Sequence, residues 1–400
     1  MSSHSVSDAQ LPRIGLSDSE LLELQALAMK AVPLKSPSVL TLRDFTDPAI
    51  GLRIWRELET RTKAAATASS AWIETWIRHY GDGLRWRFVS ATSNGRTIGI
   101  VLLVESTLKR EGPLPVWSLH LGTAGELESE SVVAEYNSPL VLEGYEHSFA
   151  TALMNHIDTD LRWERFHLDG VQAEVARPYL EQRAEAEIRE VPAHYFDLRE
   201  TRANGQSVWD RLGKGTRRSI RTGRLQHSEL SVEWSDSPEA MDVLFADLIN
   251  LHQQRWESAG KAGCFASERF TAFHRDLTRR WLPEGRAVLA RVQSGVGTNQ
   301  RTIGCMHFYI EHNRLLCQLT GMLHEAGLSL GLLSTYMILE SALSRGYDAL
   351  DYLGGDTQQK RNLSTHANRL QWCVWKRPHW KFSVVDALRV LKRSLPLGYR

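Results

Sequence analysis

The tetrapeptide Arg-Thr-Ile-Gly occurs twice in this chain, at residues 96–99 and 301–304, and each copy holds the same place in a longer pattern. Residues 84–106 read as strand, glycine-containing turn and strand, and residues 285–311 read the same way. A helix-like segment with an aromatic stripe precedes each: Trp72, Trp76 and Tyr80 in the first, Phe270, Phe273, Leu277 and Trp281 in the second. Further on, residues 163–174 resemble residues 347–359, each behind an apolar helix. The offset between copies is 205 residues at Thr97 and Thr302 but 184 at Gly170 and Gly354, so the first copy is 21 residues longer in its middle. Residues 109–126 are the expected extra loop.

A repeat of this length in a chain of 400 residues, more than one core usually supports, implies two tandem α/β units. Each runs helix, antiparallel strand pair, further strand, helix, strand. The units are placed at residues 41–200 and 201–385, with an N-terminal extension at 1–40 and a basic tail at 386–400. Residues 98–104 and 303–310 are nearly continuous apolar runs, as in central strands covered on both faces. Gly99 and Gly304 inside those runs mark a bulge or a close backbone approach.

Lys plus Arg number 48 against 47 for Asp plus Glu, a balance that provides no bulk field for DNA. A local exception is residues 209–226, where Arg217, Arg221 and Arg224 share one helical face with Lys214 and Arg218 nearby. Such a helix is either a solvated basic face or an anion-binding one. The four cysteines are scattered, without CxxC or zinc-type spacing, and read as reduced thiols. With no signal-peptide pattern and no window near 20 apolar residues, a cytoplasmic protein without a transmembrane segment is expected. Val384, Leu388 and Leu391 form one apolar stripe near the C-terminus, suited to packing on the domain or to peripheral contact with a membrane.

Familiar motifs fail on inspection. In residues 211–217, Gly213-Lys214 is followed by Gly215 where a phosphate loop needs Ser or Thr. Residues 295–300 lack the third glycine of a dinucleotide fingerprint, residues 323–327 lack the second histidine of a zincin, and no GxSxG elbow occurs. His307 alternates with apolar neighbours and reads as a core histidine. No metal, flavin or covalent nucleophile is expected. One stretch still asks for a ligand: a short strand at 349–353 leaves through Gly354-Gly355-Asp356 and is followed by Lys360-Arg361. A simple turn needs the glycines but not both charges.

That stretch, with Leu251-His252-Gln253-Gln254-Arg255-Trp256 and Phe270-Thr271-Ala272-Phe273-His274, resembles the acetyltransferase-like proteins of the GNAT superfamily that include CelD-like polysaccharide-biosynthesis proteins. These are related to the Fem-type aminoacyltransferases, built from two tandem GNAT units. The family strand-end motif is approximately Asp-Phe-Leu-Arg-Gly-Asp followed by Tyr-Lys. Here Gly354 replaces its arginine and Gln359 its tyrosine, and the helix-opening Ser-Pro-Gly has become Ser329-Leu330-Gly331.

The resemblance implies an α/β (α+β) fold of two GNAT-like units, each a mixed, mainly antiparallel twisted sheet flanked by helices. It implies an acyltransferase that uses acetyl-CoA or another acyl-CoA and no metal, acting on a small-molecule or saccharide acceptor in envelope polysaccharide synthesis. The pyrophosphate of the acyl carrier is expected at the helix N-terminus formed by Ser329, Leu330 and Gly331. A backbone N–H among Gly304, Cys305 and Met306 is expected to stabilise the oxyanion. Asp356 is the expected base or substrate-orienting acid, with Lys360 beside it at the mouth of the cleft as an anion contact. Arg255, Trp256, Arg217 and Arg221 are expected substrate contacts. The first unit, without a lysine after Asp169-Gly170, is expected to be structural or to contact the acceptor. Transfer from a charged tRNA and a non-catalytic scaffold are the alternative readings.

Overall fold

The computed structural model describes residues 40–394 apart from residue 228, and the side chains up to residue 387. The expected extension up to residue 39 and the last six residues of the tail lie outside the described residues. Strands β1 (Thr41–Phe45), β2 (Arg85–Ser93), β3 (Arg96–Ser106), β4 (Ser118–Leu121), β5 (Arg165–Gln172) and β6 (Ala186–Asp197) come from the first half. Strands β7 (Ser231–Trp234), β8 (Ala287–Ser294), β9 (Arg301–Glu311), β10 (Arg314–Met322), β11 (Ala349–Gly354) and β12 (His366–Lys376) come from the second.

All twelve join one sheet in the order β1-β2-β3-β4-β5-β12-β6-β11-β10-β9-β8-β7, with the two-residue strand Leu140–Val141 added on β3. The halves mirror each other in this order, except that β6 and β12 have changed places. β12 lies against β5, β6 lies against β11, and the two pair with each other from Ala186↔Trp375 to Tyr195↔His366. Only β4–β5 and β10–β11 are parallel.

The repeated tetrapeptide produces the same distortion in both halves. The β2–β3 register slips between Ala91 and Thr92 and leaves Ile98 as the extra residue; the β8–β9 register slips between Val292 and Gln293 and leaves Ile303. Beside each bulge a glycine lets a helix approach. A Cβ on Gly99 would lie 2.6 Å from the Phe149 ring, and one on Gly304 would lie 2.5 Å from Ser334 Oγ.

Four longer helices cover one face of the sheet: α1 (Pro48–Glu59), α2 (Ser70–Tyr80), α6 (Pro238–Ser258) and α7 (Glu268–Trp281). They share a single core, because the two aromatic stripes face each other. Trp72 meets Phe273 edge-on at 5.1 Å and Tyr309 at 5.8 Å. Each striped helix opens on a serine, Ser69 accepting from Trp72 N and Ser267 from Phe270 N, both at 3.2 Å. The opposite face is divided between α3 (Glu146–Thr159) and α4 (Ala173–Gln182) in the first half and α5 (Lys214–Gln226) and α8 (Leu330–Ser344) in the second.

Residues 109–126 are not simply an extra loop. They contain β4, a central strand, after a small hairpin of Arg110–Glu111 with Leu114–Pro115. The added length of the first half lies in that hairpin and in residues 122–139, which follow β4. Beyond β12, the helix Trp380–Ser394 is tied down by Lys381, whose Nζ lies 2.8 Å from Glu164 Oε1. Val384 is exposed, while the side chains of Leu388 and Leu391 lie outside the described residues. Among the described residues no helix is long and apolar enough to cross a membrane.

Candidate active site

Each half contains one place where parallel central strands part. In the first half β4 and β5 pair from Ser118↔Arg165 to Leu121↔Leu168 and then separate. Asn137 fills the gap: its amide donates to Leu121 O at 2.8 Å and Asp169 O at 3.3 Å, and its backbone N–H donates to Gly170 O at 3.1 Å. Gly122 and Gly170 accommodate this plug, since a Cβ on either would meet Asn137 or Ala134 O within 2.8 Å. The first parting is therefore closed by the chain's own loop.

In the second half β10 and β11 pair only at Arg314↔Ala349, Leu315↔Leu350 and Leu316↔Asp351. Gln318 is extra in the β9–β10 register, and β11 is irregular between Asp351 and Gly354. Past Leu316 the edge of β10 that faces β11 has no strand partner among the described residues. Asp351 fixes the other lip. It is fully buried and accepts from Tyr136 Oη at 2.7 Å, an Arg314 N–H at 2.8 Å and the Leu353 N–H at 2.8 Å. Those bonds hold Leu353 at φ 59°, a left-handed conformation unusual for leucine.

The two glycines that follow make room for two charges. Glu135 Oε2 accepts from Gly354 N at 2.6 Å, and a Cβ on Gly354 would lie 2.5 Å from Glu135 Oε1. Gly355, at φ 124°, would place a Cβ 3.1 Å from Lys360 Nζ. Lys360 Nζ donates to Gly354 O at 2.6 Å and Leu353 O at 3.1 Å. Burial pushes the Glu135 carboxyl above its ordinary range, against the Gly354 N–H and the Lys360 charge that pull it down. Burial likewise lowers the Lys360 ammonium, against the nearby Glu135.

Glu135 and Tyr136 belong to residues 122–139 of the first half, the same loop whose Asn137 seals the first parting. Sequence reading passed over them. Glu135 lies 219 residues from Gly354, and nothing local distinguishes it from a surface acid.

The residues singled out from sequence separate into groups. Asp356 is exposed, 2.6 Å from the Arg361 guanidinium and 3.0 Å from His194 Nε2. Hydrogen bonds from His194 and Arg361 hold its carboxyl below the usual range, which makes it a weak base. Lys360 does stand at the strand end, as a clamp on two carbonyls. Gly304, Cys305 and Met306 lie inside β9, laddered to β8 on one side and β10 on the other. Both flanks of these three residues are thus occupied by strands, whereas the open edge belongs to β10, the next strand.

Ser329, Leu330 and Gly331 do open α8. Ser329 makes no side-chain cap, and the first backbone bonds run from Leu332 N and Leu333 N to Ser329 O at 2.9 and 3.1 Å. A helix start of this kind presents its first N–H groups outward. Gln359, on the short helix α9 (Gln358–Asn362), rests beside Gly331 with Nε2 3.1 Å from where a Cβ would be. Arg255 is exposed at the end of α6, and Trp256 stacks under Lys261 Nζ at 5.3 Å. Arg217 and Arg221 sit on α5, where Arg221 lies 5.7 Å over Trp209. Since α5 and α6 cover opposite faces of the sheet, these two pairs can serve one substrate only through the parting between β10 and β11.

Residues 211–361 match the family model described as "Acetyltransferase (GNAT) domain". No curated protein matches the sequence. Among solved structures, FemX aligns over 87% of this chain and 99% of its own at 10% identity, with a TM-score of 0.53. L-PGS from Bacillus licheniformis aligns over 85% and 96% at 10% identity, TM-score 0.48. A tandem GNAT protein from the clavulanic acid biosynthesis pathway aligns over 85% and 100% at 12% identity, TM-score 0.45. The second half thus carries a GNAT-type acetyltransferase domain, which makes the chain a transferase, within a fold like that of FemX.

Proposed function

We propose that the chain is an acyl-CoA-dependent N- or O-acyltransferase with one working site, the parting of β10 and β11, whose base is Glu135. The observation that carries this reading is the placement of Glu135: a buried carboxylate delivered from the first half onto Gly354, at the mouth of the parting. The acyl donor lies on the α8 face with its pyrophosphate at Leu330 and Gly331. The acceptor comes from the α6 face, where Glu135 is. Its amine or hydroxyl attacks the thioester carbonyl and Glu135 takes the proton from the attacking atom; the C–S bond then breaks, and CoA leaves as a thiolate that is protonated from solvent as Glu135 returns its own proton there. N–H groups on the open edge of β10 stabilise the oxyanion. Tyr136 and Lys360 hold the strand end in shape, and Asp356 anchors α9 through Arg361.

Direct transfer is favoured over an acyl-cysteine. Burial raises all four thiols, Cys264 and Cys373 to about 11 and Cys317, at the parting itself, to about 12. Thiols in that range supply almost no nucleophilic thiolate near neutrality. Resemblance to the CelD-like proteins suggests a saccharide acceptor in envelope polysaccharide synthesis. The division into units at 41–200 and 201–385 belongs to the same reading, with the first unit retained as the carrier of Glu135.

A second reading, transfer from a charged tRNA, is favoured by one observation. Lys214, Arg218, Arg221 and Arg224 crowd onto α5 with no acidic residue on that helix, and among the described residues Arg217 has only Asp210 near enough to feel its charge. Calorimetry with acetyl-CoA and desulfo-CoA separates the two. Micromolar binding by the wild type, lost in Gly331→Asp, is expected. A folded wild type that ignores both ligands at millimolar concentration but retards charged tRNA in a gel would replace the first reading by the second.

A further inference from the structure

The first half holds a cluster that the transfer reaction does not use. His120 on β4 and His167 on β5 are register partners on adjacent parallel strands, and Asp169 lies two residues beyond His167 on the same side of its strand. The imidazoles are 1% and 5% exposed and lie face to face, with centroids 4.4 Å apart and planes 14° from parallel. Both present Nδ1 to the one carboxylate: Asp169 Oδ2 is 3.4 Å from His120 and Oδ1 is 3.9 Å from His167. One nitrogen or oxygen from each of the three lies within 4.8 Å of the other two.

Ordinary packing does not account for this arrangement. Neither His120 Nε2 nor His167 Nε2 has a protein partner, although both are buried. At the corresponding register positions of the second half stand Leu316, Asp351 and Leu353, so the fold does not require histidines there. The nearest cations are Lys109 and Arg165, and Arg165 is paired with Glu111.

We propose that His120, His167 and Asp169 bind a divalent transition-metal ion of the zinc class. Two imidazoles and one carboxylate form a borderline N,N,O donor set suited to Zn²⁺ or Co²⁺, and three protein ligands leave a coordination position open. Binding tilts the two rings out of their stack so that both lone pairs meet at one point. The ion would fasten β4 to β5 just where they part. It would also brace Asn137, whose amide already joins Leu121 O to Asp169 O, and through it the loop that presents Glu135.

The test uses full-length, untagged protein stripped with chelator and titrated with Co²⁺. One equivalent should bind with visible d–d absorption, and Zn²⁺ should bleach it. His120→Gln and Asp169→Asn should lose the band with unchanged circular dichroism, while His147→Gln, at an exposed histidine, should keep it. A folded wild type that takes up no Co²⁺, or variants at the cluster that bind it undiminished, would overturn the proposal. Should those variants unfold, zinc-edge X-ray absorption on the wild type decides instead. Scattering from two imidazoles supports the site, and its absence refutes it.

Discussion

Gly354 and Glu135 are matched atom to atom: the missing side chain of one is the space filled by the carboxylate of the other. The role given to Glu135 therefore makes a sharp demand. Glu135→Gln keeps the shape and the bond from Gly354 N but cannot take a proton, so kcat should fall by about 10²–10⁴ with acyl-CoA binding unchanged. Asp356→Asn should leave the rate within the same order of magnitude. Because burial favours the protonated acid, the rate should fall as pH drops through a value above the ~4.3 of an ordinary glutamate. That acid limb should vanish from the residual activity of Glu135→Gln. Steady-state kinetics across pH check all three. The twin glycines, Asp356 and Lys360 could be picked out of the sequence because they crowd into seven residues. Glu135 could not, for its meaning comes from a neighbour that only the fold supplies.

Among elements, the bulged central strands were the most legible. Continuous apolar runs interrupted by a glycine announce a covered strand approached closely by something, and both Gly99 and Gly304 are just that. A substitution checks how tight the approach is. Gly304→Ala puts a methyl 2.5 Å from Ser334 Oγ and 2.9 Å from Met322 Sδ, and both side chains are buried. The strand and α8 must shift to admit it, and urea unfolding should show a loss of about 1–3 kcal/mol. A change too small to measure would mean that α8 gives way freely at this point. What the pattern concealed was which strand had a bare edge. β9 and β10 look equally central in sequence, yet only β10 loses its neighbour halfway along, because the bulges that turn β10 and β11 apart leave no compositional mark.

At the scale of the whole molecule, the exchange of β6 and β12 was hidden for a similar reason. Alternation and length show that a segment is a strand, but pairing partners are chosen by tertiary packing. Residues 186–197 belong to the first half in sequence and to the flank of β11 in space. A chain divided at the exposed turn of Gly205 tests the consequence. Neither residues 40–205 nor residues 206–394 should fold alone, since each lacks a strand that borders its own parallel pair. Made together, they should co-purify as a one-to-one complex with the circular dichroism of the intact protein. A cooperative, monomeric unfolding transition from either piece by itself would show the exchange to be dispensable.

The position of β12 also fixes an order of events during synthesis. On the ribosome, β5 and β6 emerge long before the strand that finally separates them. Until then they are joined by little more than α4 and are free to pair with each other. That early pairing must be prevented or undone before His366–Lys376 can enter between them. The sheet is thus sealed at its centre by its last strand, through contacts between segments far apart in sequence, a topology associated with slow folding. For a nascent chain of this kind, the vulnerable interval is not the making of either half but the wait for the closing strand.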